Sequence, residues 1–177
     1  DLILFPGWTP NNRVGTVRMP GFWDCKKNKW FEDKVQVSTY TGNVAWVMTA
    51  LIAAAQKLAD QKYLDAAKKL GEWVEANCTD NRGAGGYTAG FEGWEPRPEK
   101  LLYKSTEHNL DLYVAFSRLY ELTSGAEKEN WRDRAVHARG FIEAMWDEAE
   151  GKFWTGTKDD GVTINKMDDD KVDPNPD

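Results

Sequence analysis

The stretch from residue 40 to residue 76, YTGNVAWVMTALIAAAQKLADQKYLDAAKKLGEWVEA, decides the fold. Its first half, Tyr40 to Leu58, is apolar on nearly every side, which is typical of a helix that is buried on most of its surface. Its second half, Gln61 to Ala76, has apolar residues at helical spacing on one side and charged residues on the other. An inner helix followed by an outer helix makes an αα-hairpin.

The same pattern returns later in the chain. Glu107 to Leu122 is again mostly apolar, and Glu127 to Trp146 again has its apolar residues on one side. A second inner helix and a second outer helix are therefore predicted, so the fold class that we expect is all-α.

Glycine-rich connectors follow both predicted hairpins and open at Gly85 and Gly151, which are 66 residues apart. Asn43 and Asn109 open the two inner helices at the same separation. A constant separation between similar hairpins indicates a stacked helical repeat. The alternative is that two ordinary amphipathic hairpins resemble each other by chance.

The two ends of the chain lack helical periodicity. Residues 1–35 contain several prolines and glycines among aromatic residues, which predicts an irregular N-terminal arm. Residues 166–177 are acidic and contain two prolines, which is typical of a frayed tail. We expect one domain over residues 1–177, with the arm and the tail attached to it.

Composition excludes several classes of protein. The net charge is −6, from 29 acidic and 23 basic residues, and the basic residues are scattered, which argues against a nucleic-acid partner. No apolar run reaches the ~18 residues that a membrane-spanning helix needs. The sequence does not determine a compartment.

The two cysteines, Cys25 and Cys78, favour no metal site, because they lack CxxC spacing and no second histidine or cysteine lies at ligand spacing. Two free thiols are the favoured interpretation, and a disulfide between them is the alternative. We predict neither a metal nor a cofactor.

The densest polar cluster is Ser105–Asp111, STEHNLD, in which Ser105 or Thr106 can cap the helix. Glu107 and Asp111 are four residues apart and so share one face of the predicted helix. Buried charges cost several kcal/mol unless they are paired or functional. Two carboxylates beside one cavity can act as the acid and base of glycoside hydrolysis. Alternatively, Glu107 favours the helix dipole and Asp111 pairs with a basic residue.

The first inner helix has polar and aromatic residues at the corresponding place, which would form a rim that contacts sugar: Tyr40, Asn43 and Trp46. The alternative is capping by Thr41 and core packing by Trp46. Trp94 and Trp154 are predicted to lie in loops, where an indole can stack on a sugar ring because both have flat, partly apolar faces. Core packing beneath the loops is the alternative for these tryptophans. For His108, the favoured role is to orient a neighbour or to satisfy a backbone group, and a catalytic or metal-binding role is the alternative.

Three motifs together resemble a group of bacterial proteins of the six-hairpin glycosidase class. These motifs are STEHNLDLYVAF at residues 105–116, FWTGT at residues 153–157 and YTGNVAW at residues 40–46, and the resemblance spans about residues 15–165. It implies an (α/α)6 toroid, in which inner helices and their loops surround a sugar-binding cavity.

The resemblance also implies roles for individual residues and a carbohydrate ligand. Glu107 would be the acid or base, and Asp111 the second carboxylate or a sugar ligand. The cavity would be lined by His108, Asn109, Asn43 and Trp46.

The sequence departs from the family pattern because it offers two hairpins where a toroid needs six. Apolar inner helices should therefore expose apolar surface, which marks an interface with other copies of the chain or with the missing part of a toroid. The alternative function is a non-catalytic helical module that binds a partner, a sugar or another small ligand.

Overall fold

The computed structural model describes residues 21–93 and 98–166, so Trp94 and the tail beyond Lys166 lie outside the described residues. It separates into two compact units. The smaller unit includes residues 21–38, 91–93 and 98–99, and the larger includes residues 39–90 and 100–166. The single domain over residues 1–177 stays a prediction.

In the smaller unit, residues 21–32 form a β-hairpin, so the prediction of an irregular arm is wrong for this segment. Strand β1 (Gly21–Asp24) pairs antiparallel with β2 (Lys29–Glu32), with Phe22 opposite Phe31. Their rings stack with centroids 5.9 Å apart. Aromatic residues favour strands because they pack well across a pleated surface, and this preference outweighs the nearby prolines and glycines.

The larger unit contains four helices whose bounds lie within two residues of those predicted. They are α1 (Thr41–Leu58), α2 (Gln61–Cys78), α3 (Thr106–Leu122) and α4 (Gly125–Ala144). Helix α1 packs on α2, α3 packs on α4, and the inner helices α1 and α3 pack against each other. The two predicted αα-hairpins are therefore confirmed.

The prediction of an all-α fold is correct only in part, because the described residues also contain short strands. Besides β1 and β2, they are β3 (Thr39–Tyr40), β4 (Gly90–Glu92), β5 (Glu99–Leu101), β6 (Trp146–Asp147) and β7 (Lys152–Phe153). Strands β6 and β7 pair antiparallel in the connector after α4. The connector after α4 thus contains extended backbone that pairs locally.

Local contacts explain where two of the helices begin and where one ends. The Asp60 carboxylate accepts a hydrogen bond from Lys62 N at 3.0 Å at the start of α2. The Ser105 hydroxyl accepts one from His108 N at 3.3 Å at the start of α3, as predicted. Ala59, with a φ of 52°, has the left-handed conformation that ends α1 before the tight turn into α2.

The core lies between the inner and outer helices. Phe116 of α3 stacks on Trp131 of α4, with ring centroids 5.9 Å apart, and both side chains are almost completely buried. Gly71 of α2 lets this indole approach, because a Cβ at residue 71 would lie 2.7 Å from the Trp131 ring. Burial of each large apolar side chain contributes roughly 1.5–3 kcal/mol.

Each connector returns to the first residue of an inner helix and holds it by two hydrogen bonds. Thr41 donates from its N–H to Ala89 O at 2.9 Å and from its hydroxyl to Thr88 O at 3.0 Å. Thr106 donates in the same way to the carbonyl oxygens of Thr155, at 2.9 Å, and Trp154, at 2.6 Å. The accepting positions are 66 residues apart, which supports the predicted repeat.

The inner helices expose apolar side chains, as the sequence predicts. Trp46 and Val47 of α1 and Leu110 and Val114 of α3 are all between 40% and 64% exposed. None of the described helices has the length and apolarity that a bilayer crossing requires.

Candidate functional site

The candidate site lies where the first turns of α1 and α3 meet in the larger unit. The Thr41 hydroxyl is 3.2 Å from His108 Nδ1, and the rings of Tyr40 and His108 have centroids 6.2 Å apart. The Trp46 indole of α1 lies near the carboxyl group of Asp111 on α3 and lowers its pKa. The structure therefore brings together residues from two motifs that are more than 60 positions apart in sequence.

The two carboxylates of the site differ in environment. Glu107 is exposed, whereas Asp111 is half-buried, and its Oδ2 is buried without a hydrogen-bond partner among the described residues. Burial raises the pKa of Asp111, the charge of Glu107 raises it further, and the nearby Trp46 indole opposes both effects. Asp111 consequently stays protonated at a higher pH than an ordinary aspartate does.

The imidazole of His108 packs directly over the backbone of α1. A Cβ at Gly42 would lie 2.5 Å from His108 Cδ2 and 3.0 Å from Nε2, so only glycine fits at this position. Burial lowers the pKa of His108, and the nearby Glu107 charge opposes this effect. The ring is therefore neutral at pH 7.

Asn109 lies in the core and not on the open surface. Its side chain is completely buried and accepts a hydrogen bond from Tyr87 N at 2.8 Å. Its amide donates to Tyr87 O at 3.0 Å and to Ser105 O at 2.8 Å. Both amide protons are thus already used, and Asn109 holds the first connector against α3.

The other predicted sugar-binding residues are spread over the surface. Asn43 is exposed, Trp46 is 64% exposed, and Tyr40 is half-buried. The half-buried Trp154 ring lies beneath the ammonium groups of Lys152 and Lys166, at 4.7 and 5.6 Å from its centroid. Trp94 lies outside the described residues.

Sequence reasoning missed the importance of Thr41 and Gly42 for this site. Thr41 was assigned only a possible capping role, but its hydroxyl joins the connector to His108. The available signal was the match between Thr41 and Thr106 at the starts of two similar helices. The signal for Gly42 was a glycine inside a helix, which costs about 1 kcal/mol relative to alanine and therefore suggests a close approach.

A second polar cluster supports the start of α3 from below. Lys104 is completely buried, and its ammonium donates to Arg82 O at 2.7 Å and lies 3.4 Å from Asp80 Oδ2. Burial lowers the pKa of Lys104, and the charge of Asp80 opposes this effect. Burial also raises the pKa of Asp80, but the hydrogen bonds from Arg82 outweigh it and hold that pKa at about 2.

Both cysteines are free thiols, and they differ in burial. Cys78 is a buried free thiol whose pKa is raised to about 11 by burial, whereas the free thiol of Cys25 is exposed. Within residues 21–93 and 98–166, no three histidine, cysteine, aspartate or glutamate side chains form a group that could hold a metal ion.

Comparison with solved structures identifies the architecture. A family 76 glycoside hydrolase from a bovine Bacteroides thetaiotaomicron strain matches with a TM-score of 0.57 at 17% identity, over 72% of this chain and 26% of that chain. A family 76 α-mannanase from Bacteroides thetaiotaomicron matches with a TM-score of 0.59 at 17% identity, over 73% and 34%. A D-mannose isomerase matches with a TM-score of 0.58 at 17% identity, over 71% and 31%.

The chain resembles part of a six-hairpin α/α toroid. It spans about a quarter to a third of the length of these solved structures, and the likeness is one of fold. No protein-family model and no curated protein matches the sequence.

Proposed function

We propose that this toroid-like chain processes carbohydrate, by acid/base hydrolysis of a glycosidic bond at the junction of α1 and α3. The observation that carries the proposal is the Asp111 carboxyl, whose buried Oδ2 has no partner among the described residues and whose pKa is raised. A carboxyl that keeps its proton is suited to protonate the oxygen of a leaving group. The fold shared with glycoside hydrolases supports the same class of substrate.

Under this proposal the two carboxylates have separate tasks. Asp111 protonates the glycosidic oxygen, and Glu107, one helical turn away and open to water, is the second carboxylate of the pair. The exposed Trp46 indole beside them offers a flat apolar face on which a pyranose ring stacks.

The direct test is hydrolysis of α-mannan and of aryl α-mannosides, chosen because one structural neighbour is an α-mannanase. We expect the purified chain to release reducing sugar, and Asp111→Asn and Glu107→Gln each to reduce the rate by at least about 100-fold. The matched control is Glu121→Gln, an exposed carboxylate on the same helix, which should leave the rate unchanged. Circular dichroism establishes that each variant is folded.

The proposal fails if the folded wild-type chain hydrolyses none of these substrates, or if Asp111→Asn retains full activity. The same assays carried out with free D-mannose separate hydrolysis from isomerisation, the activity named for another structural neighbour. Formation of a ketose without hydrolysis would overturn the reaction class while keeping the substrate class.

A second candidate function is a non-catalytic module that binds a partner or a sugar. It is favoured by the exposed apolar side chains on the inner helices, among them Val47, Leu110 and Val114. The partner would be further copies of the chain or the rest of a toroid. Light scattering of the purified chain tests self-association: a dimer or trimer supports it, and a monomer at all concentrations contradicts it.

A further inference from the structure

The hydrogen bonds of Thr41 determine where the ring proton of His108 lies. A threonine hydroxyl has one proton, and the Thr41 hydroxyl donates it to the Thr88 carbonyl at 3.0 Å, since a carbonyl oxygen can only accept. The 3.2 Å contact between Thr41 Oγ1 and His108 Nδ1 is a hydrogen bond only if the histidine donates. The proton of the neutral ring is therefore on Nδ1.

The opposite ring nitrogen is consequently an acceptor. A neutral imidazole carries one ring proton, so Nε2 has a free lone pair. Among the described residues no group hydrogen-bonds to Nε2, and yet Nε2 is not one of their buried polar atoms without a partner, so this atom keeps contact with solvent beside Gly42. Burial lowers the pKa of His108, which helps to keep Nε2 unprotonated at pH 7.

We propose that His108, locked in the Nδ1–H tautomer by the Thr88–Thr41 chain of hydrogen bonds, accepts a hydrogen bond at Nε2 from a hydroxyl group of a carbohydrate ligand. The class of ligand rests on the proposed function, whereas the tautomer rests on geometry alone. Thr41 and Gly42 are positioning residues, because one sets the proton and the other leaves room for the ring.

The groups around His108 Nε2 favour a ligand that donates a hydrogen bond and carries no charge. Glu107 precedes His108 on α3, Asp111 follows one turn later, and the Tyr40 ring lies on the side of α1. The lone pair of Nε2 and the negative charge of Glu107 would both repel an anionic ligand, whereas a neutral sugar hydroxyl can donate a hydrogen bond to either group. The proposal therefore names a neutral pyranose, not a phosphorylated or acidic sugar.

The tautomer is tested by ¹⁵N NMR of the imidazole rings at pH 7, on protein labelled at its two histidines, His108 and His137. His108→Gln assigns the signals. We expect a protonated Nδ1 and an unprotonated Nε2 for His108 in the wild type, a mixture of tautomers in Thr41→Val, and the wild-type pattern in Thr41→Ser. A protonated Nε2 in the wild-type protein overturns the inference, whatever the outcome of the hydrolysis assays.

The ligand is tested by titration with methyl α-mannoside and, separately, with mannose 6-phosphate. We expect methyl α-mannoside to shift the Nε2 signal, with at least about tenfold weaker binding in His108→Gln and Gly42→Ala, as loss of a binding hydrogen bond predicts. Gly140→Ala, a glycine on α4 with open space around it, is the control. If the protein hydrolyses mannosides but the Nε2 signal does not shift, this inference is overturned and the proposed function stays intact. Stronger binding of mannose 6-phosphate than of methyl α-mannoside would also overturn this inference.

Discussion

The first turns of α1 and α3 are held in the same way but carry different chemistry. In each, a threonine donates from its N–H and its hydroxyl to two successive carbonyl oxygens of a connector. Helix α3 then places Glu107, His108 and Asp111 at the junction, whereas α1 contributes glycine, asparagine and an exposed tryptophan. The repeat thus supplies the scaffold, and the residues that are not repeated supply the chemistry.

The connectors after the two outer helices differ in the same manner. Asp80 and Asp147 both follow an outer helix, but Asp80 is buried against Arg82 and Lys104. The Asp147 carboxylate instead accepts hydrogen bonds from Ala149 N and Glu150 N in an exposed turn. The first connector is packed beneath α3, and this difference can be tested by changing the aspartate that follows each outer helix.

The largest expected effect comes from Asp80→Asn compared with Asp147→Asn. Removing the charge of Asp80 leaves the Lys104 ammonium buried without its counter-ion, so we expect the free energy of unfolding to fall by about 4 kcal/mol at pH 7. Asp147→Asn should change it by less than about 0.5 kcal/mol. Urea unfolding of both variants measures the difference.

The effect of Asp80→Asn should depend on pH. The pKa of Asp80 is about 2 in the folded chain, below the ordinary 3.8, so its contribution to stability is present above about pH 4 and is lost as the pH falls through 2. The difference in unfolding free energy between the wild type and Asp80→Asn should therefore decrease as the pH is lowered from 4 to 2. An unchanged gap at low pH would contradict the assignment of a charged Asp80.

Asn109→Ala compared with Asn43→Ala should have the next largest effect. Without the Asn109 amide, the N–H and C=O of the buried Tyr87 lose their partners, so we expect the free energy of unfolding to fall by about 3 kcal/mol. The exposed Asn43 should be replaceable within about 0.5 kcal/mol. Equal losses in the two variants would mean that the two asparagines have similar environments.

The different environments of Asn43 and Asn109 show why sequence spacing found the repeat but misaligned its helices. The connector carbonyls are 66 residues apart, but the anchoring threonines, Thr41 and Thr106, are 65 apart. A shift of one residue turns a side chain by about 100° around the helix axis. Asn109 consequently points into the core, whereas the family resemblance implies a cavity-lining residue at this position.

Other parts of the fold could be predicted to different degrees. The four helices were predicted to within two residues, because their apolar periodicity is strong. The hairpin of β1 and β2 was missed, because glycine, proline and aromatic residues there were interpreted as irregular chain. The junction of Thr41 with His108 depends on tertiary contact between two hairpins, and local sequence patterns carry no such information.

The outer helices offer a third comparison, between Gly71→Ala and Gly140→Ala. A methyl group at Gly71 of α2 would lie 2.7 Å from the Trp131 ring, so we expect overpacking to lower stability by about 2 kcal/mol. A methyl group at Gly140 of α4 meets nothing within 4 Å, so the higher helix propensity of alanine should raise stability by about 0.5–1 kcal/mol. Thermal unfolding of both variants measures the change in melting temperature, which should be negative for Gly71→Ala and positive for Gly140→Ala.

The smallest expected effect tests the anchors themselves, with Thr106→Val and Thr41→Val. Each valine keeps the shape of the side chain but removes the donor to a connector carbonyl, so each should cost about 1 kcal/mol in unfolding experiments. If the anchors are equivalent, the two variants lose the same unfolding free energy, apart from an additional loss in Thr41→Val because the His108 Nδ1–H also loses its acceptor.

The additional loss is measured with a double variant that combines Thr41→Val and His108→Gln. When His108→Gln is already present, Thr41→Val should cost only as much as Thr106→Val does. A much larger loss of unfolding free energy for Thr106→Val than for Thr41→Val would show that the second connector depends more strongly on its threonine than the first does. The two hairpins would then be equivalent in backbone path but not in the energy of their anchors.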